Sequence, residues 1–166
     1  MIFLHTKRKR RQSESGSMRV LRLIFLFFVL LSFNPPSSLS ADPVVVIVSL
    51  QNPVNEITQE RLQEAYLTGG KEWADGATIV PLNLIQSHPA SILFRERVLK
   101  KTAADLNVFW IQQVFSWKGS PPIILKEDQE VKAYISSHKE AIGYIRSSAL
   151  DSTVKSIRVD GKAFIP

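Results

Sequence analysis

The chain has 166 residues, with 21 Lys and Arg against 15 Asp and Glu, and it contains no cysteine. That excludes a disulfide-stapled scaffold and a lipid-anchored lipoprotein, so stability has to come from packing. Residues 1–40 hold seven of the basic residues and one of the acidic ones, which leaves 14 of each in the remaining 126 residues. The basic balance therefore belongs to the N-terminal segment. It makes no case for nucleic-acid binding, which needs a basic face on the folded domain.

That segment reads as a secretory signal. Lys7, Arg8, Lys9, Arg10 and Arg11 form a basic run, and Arg19 and Arg22 precede an apolar stretch from Leu23 to Phe33. About 11 apolar residues fall well short of the ~20 that a membrane span needs. Small residues at Ser38 and Ser40 suit cleavage before Ala41, with an uncleaved anchor as the alternative. Met18 opens a signal of more usual shape and is a rival start. The expected organisation is a signal over 1–40 and one domain over 41–166, working in the periplasm.

Val44, Val45, Val46, Ile47 and Val48 form an unbroken β-branched run, expected to be a strand buried on both faces of a parallel sheet. Thr58 reads as a helix N-cap, with Ile57 and Leu62 at the staple positions. Leu62, Ala65 and Tyr66 keep helical spacing until Gly69 and Gly70 end the helix. A loop through Trp73, Asp75 and Gly76 leads to a strand over 78–84. Pro89 suits the first turn of a helix over 88–100. Thr102 and Asp105 make a capping box for the next helix, whose stripe of Leu106, Phe109, Trp110 and Val114 is expected in the core. Trp117, just before a turn, is a candidate for exposure. A short strand over 123–125 follows, then a helix that Asp128 would cap, with Val131, Tyr134 and Ile135 inward. Strands over 141–145 and 155–159 close the chain. Alternating strands and helices predict an α/β layer with a mostly parallel sheet.

The stretches Ile57–Leu62, Tyr66–Gly76, Ser91–Phe94 and Ala141–Ile145 follow one another in an order and spacing that resemble one lobe of the phosphate-type periplasmic substrate-binding proteins of ABC transporters. Tyr66-Leu67-Thr68-Gly69-Gly70-Lys71-Glu72-Trp73 is similar to that family's Gly-Lys-x-x-Trp loop, and Ala141-Ile142-Gly143-Tyr144-Ile145 to its "Ala-Ile-Gly-Tyr-Val" strand. The resemblance implies a type II periplasmic-binding-protein-like fold, present here as a single lobe. It implies a small oxyanion such as phosphate as ligand, and a membrane transporter or sensor as partner. Two features depart from that family. Its members close two lobes on the anion. Its anion loop, an arginine followed by Ser-Gly-Thr, is replaced here by Leu84 and by His88-Pro89-Ala90.

The expected ligand-binding residues are Ser87, His88, Ala90 and Ser91. A helix start presents unpaired N–H groups and the positive end of the dipole, and Ser87 and Ser91 would add hydroxyl donors. Plain capping by Ser87, with Pro89 opening the helix, explains the same residue types, and Pro89 removes one donor. Trp73 is expected to pack over the sheet edge with its N–H on a carbonyl. Gly143 is expected to allow a close backbone approach. Nothing points to catalysis or to a cofactor. His88 and His138 stand 50 residues apart without a carboxylate cluster, and there is no nucleophile elbow or glycine-rich phosphate loop. Two readings remain: a module that binds an oxyanion, and a ligand-free module that docks on a membrane sensor or envelope partner.

Overall fold

The computed structural model describes residues 42–68 and 71–165. The signal segment and the glycines at 69 and 70 lie outside the described residues. Six strands form one sheet in the order β2-β6-β1-β5-β3-β4. They are β1 (Val44–Val48), β2 (Glu56–Ile57), β3 (Val80–Leu84), β4 (Ile123–Leu125), β5 (Ala141–Arg146) and β6 (Lys155–Val159). Among the described residues four α-helices accompany them: α1 (Gln59–Thr68), α2 (Pro89–Phe94), α3 (Ala103–Phe115) and α4 (Asp128–Ser137). Among the described residues no helix is long and apolar enough to cross a membrane.

β1 lies inside the sheet and is buried throughout, as its composition demands. It runs antiparallel to both β5 and β6, however, with Val46 opposite Tyr144 and Ile157. The parallel neighbours expected for β1 are thus corrected, because full burial reports that both faces are covered and says nothing of strand direction. The β2–β6, β3–β4 and β3–β5 pairs are parallel, so the parallel pairs outnumber the antiparallel ones in a mixed sheet.

The two faces of β5 show how the layers are held. A Cβ built on Gly143 would stand 2.7 Å from Val131 Cγ1 and 3.0 Å from Ile135 Cδ1, so α4 rests directly on the strand backbone. The next residue points to the opposite face. There the Tyr144 ring stacks on Phe94 of α2 at 4.0 Å, and Tyr66 of α1 tilts against Phe94 at 4.7 Å. All three aromatic rings are buried, and the Tyr66 hydroxyl donates to the Leu82 carbonyl at 2.8 Å. The Trp73 indole N–H donates to the Glu140 carbonyl at 2.8 Å, the packing role expected of it.

Three local expectations change. The helix over 88–100 is shorter: α2 ends at Phe94, and Arg95–Leu99 widens into a π-helical turn. There the Lys100 N–H donates to the Arg95 carbonyl, and Lys100 takes a left-handed φ of 54°. Asp128 does not cap α4, because it is the first helical residue and is buried. Finally, α3 has its capping box through Thr102 and Asp105 but buries none of its residues. Leu106, Phe109 and Trp110 are half-buried and Val114 is exposed, so this stripe does not belong to the core.

Candidate functional site

The start of α2 is organised by His88. Its backbone is extended and its Nδ1 accepts from the Ala90 N–H at 3.2 Å, which makes His88, and not Ser87, the side-chain cap. The Ser91 and Ile92 N–H groups donate to the His88 carbonyl at 2.9 and 3.1 Å, and Pro89 has no N–H. The four residues read from the sequence therefore separate. Ser87 is exposed, His88 and Ala90 are buried in the capping turn, and Ser91 is buried facing the sheet.

Because its Nδ1 accepts, the His88 ring carries its proton on Nε2, and that atom lies 3.8 Å from Asp128 Oδ1. Arg146 Nε donates to Asp128 Oδ2 at 2.6 Å, and the Arg146 N–H donates to Oδ1 at 3.3 Å. The bond to Asp128 and the charge of that carboxylate raise the Arg146 pKa. Asp128 thereby joins the start of α4, the end of β5 and the cap of α2. The contacts of this cluster are suited to holding three elements together. His138 sits elsewhere, stacked on Tyr134 at 4.0 Å. Among the described residues no three His, Cys, Asp or Glu side chains gather as metal ligands.

A cleft opens on the other side of Ser91. It has a volume of about 80 Å³ and lies between α2, α3 and the β3–β4 end of the sheet. Its polar lining is Asn83, Gln86, Ser91, Arg95, Asn107 and Tyr144, with Gln86 Nε2 donating to Asn107 Oδ1 at 3.0 Å. The Tyr144 hydroxyl donates to Asn83 Oδ1 and accepts from the Leu84 N–H at 3.4 Å. Burial pushes the Tyr144 phenol up to about 12, against a smaller opposing pull from the Ser91 hydroxyl, the Leu84 N–H and the Arg95 guanidinium. Ser91 and Arg95 thus converge on one buried hydroxyl. Arg95 Nε is buried with no hydrogen-bond partner among the described residues. A buried guanidinium donor left unsatisfied is costly, which marks a place where an acceptor is wanted. The sequence reading missed Arg95 and Asn83. Arg95 looks there like one more charged residue on a helix face, and the only local signal is the widened turn that begins with it.

No family model and no curated protein matches the chain. Solved structures do. One is an ABC-type phosphate transport receptor from Vibrio cholerae, with TM-score 0.57 and 18% identity over 72% of this chain and 46% of that one. A phosphate ABC transporter substrate-binding protein from Clostridium perfringens, solved with bound phosphate, has TM-score 0.60 and 22% identity over 73% and 46%. PstS from Borrelia burgdorferi has TM-score 0.55 and 18% identity over 73% and 48%. The chain spans about half the length of the structures it matches. At these identities the likeness speaks for the fold: the described residues are built as a single lobe of the phosphate-type substrate-binding proteins.

Proposed function

We propose that this chain is an exported, non-enzymatic binding module that takes a small anion bearing oxygen acceptors, the class to which phosphate belongs, and serves a membrane transporter or sensor. The observation that carries the reading is that Arg95, whose Nε is buried without a partner among the described residues, lines a cleft that also holds Ser91. The likeness to solved substrate-binding proteins supports it. In this reading Ser91 is a ligand contact, while Ser87, His88 and Ala90 shape the turn that presents it. A cleaved signal over residues 1–40 would place the domain in the periplasm.

Binding is expected to be weak, with a dissociation constant of about a millimolar, which corresponds to about 4 kcal/mol. One guanidinium and a few neutral donors must meet the cost of association without a second lobe around the anion. Isothermal titration of the purified protein with phosphate, sulfate and acetate at low salt tests this. Millimolar binding that weakens in Ser91→Ala is the expected result. A second reading, a module that docks on a membrane sensor or envelope partner, is favoured by the outward face of α3. There Val108, Ile111 and Phe115, and Trp117 in the turn that follows, are all more than half exposed. No anion binding, together with strong uptake of an apolar dye that is reversed by Phe115→Asp, would move the assignment to docking.

A further inference from the structure

The wall of the cleft is mainly apolar. Phe94, Leu99, Leu106, Trp110 and Ile124 contribute to it. We infer that the ligand is a small organic carboxylate with a short apolar tail, not inorganic phosphate. This rests on the small-anion reading above and names the chemistry of the anion.

The donors set the head group. A guanidinium such as that of Arg95, which lines the cleft, offers paired N–H donors that match the two oxygens of a carboxylate. Asn83 Nδ2, whose partner Oδ1 is taken by Tyr144, can add a bond, and the Ser91 hydroxyl can add one by turning from Tyr144 to the ligand. A phosphate ion brings more charge and more acceptor oxygens. In this mainly apolar cleft one guanidinium would meet that charge, and each further oxygen left without a donor is costly. The lining contains no carboxylate, so an ammonium finds no opposite charge there. The size sets the tail. A cavity of about 150 Å³ admits benzene, so about half that volume admits roughly three to five non-hydrogen atoms, the range of acetate and propionate.

The test is isothermal titration of the full-length protein with formate, acetate, propionate, butyrate, phosphate and sulfate at one low ionic strength. Affinity is expected to rise about fourfold per methylene from acetate to propionate, as each carbon leaves water. Propionate should bind more tightly than phosphate. Arg95→Gln, checked for folding by circular dichroism, should weaken propionate binding about tenfold. Ala103→Leu, which narrows the apolar end, should weaken propionate more than formate. The wild-type series decides the matter even if Arg95→Gln fails to fold. An affinity that is flat along the series, or phosphate binding tighter than propionate and dependent on Arg95, overturns the carboxylate assignment and leaves the small-anion reading standing. Absence of binding by every anion overturns both.

Discussion

α3 and α4 are built from similar apolar periodicity and have opposite fates. α4 has ten residues and buries Asp128, Val131, Lys132 and Ile135 against β5, where Gly143 lets it approach the backbone. α3 has 13 residues, the longest helix among the described residues, and buries none. α4 is held by packing. α3 is held by its own capping box and by half-buried contacts of Leu106, Phe109 and Trp110. A helix that owes its place to local bonds can shift without opening the core. Since α3 forms one wall of the cleft, the cleft has one rigid side and one compliant side.

The largest expected effect sets the two regions against each other through a shared residue type. Phe94→Ala removes a ring stacked between Tyr66 and Tyr144 and should cost about 3–5 kcal/mol. Phe115→Ala, on a residue 81% exposed at the end of α3, should change stability by no more than about 0.5 kcal/mol. Urea denaturation of both variants checks this. Equal losses would mean that α3 is packed in a way its exposure denies.

Asp128→Asn comes next. The carboxylate is buried and receives the Arg146 side chain and N–H, and an amide keeps the shape while losing the charge. A loss of about 1.5–3 kcal/mol is expected, the range for a hydrogen bond to a charged group. The midpoint of denaturation measures it. A neutral result would show that Arg146, whose side chain is 40% exposed, draws its stabilisation from water instead.

Much of this architecture was legible in the sequence because its causes are local. Thr58 accepts from the Arg61 N–H at 3.1 Å, as an N-cap should, and Thr102 with Asp105 closes a full capping box. The β-branched run of β1 and the close approach at Gly143 were readable for the same reason. The direction of β1 was not, since burial pattern is the same in either sense. The fate of α3 was not legible either. Periodicity shows that a helix has an apolar face, but it does not show whether another element exists to cover it. The cleft was the least legible part. Its wall draws on Asn83, Ser91, Arg95 and Tyr144, which only the sheet order brings together, and the unsatisfied Arg95 Nε is a fact of burial with no mark in the sequence. The helix start that did stand out in the sequence has its N–H groups engaged by His88.

The smallest expected effect is the most selective for α3. Hydrogen bonds from the Thr102 hydroxyl, and then from its backbone N–H, hold the Asp105 carboxyl below its usual pKa. A carboxyl whose pKa is lower in the formed helix than in the frayed one stabilises the helix at pH values above the frayed-state pKa of about 3.9. That support is lost as the pH falls through the lower value, because protonation removes the acceptor of the box. α3 should therefore fray between about pH 4 and more acid conditions while the β1–β5 core, with no titrating group in β1, keeps its protection. Amide hydrogen exchange at pH 6 and pH 3, corrected for the intrinsic rates, should show lost protection over residues 106–115 and retained protection in β1. In Asp105→Asn, which carries no titrating group at that position, the α3 amides should be less protected at pH 6 and lose this pH dependence. Uniform loss across β1 and α3 would instead mean that the helix and the sheet unfold as one unit, and the cleft would then have no compliant wall.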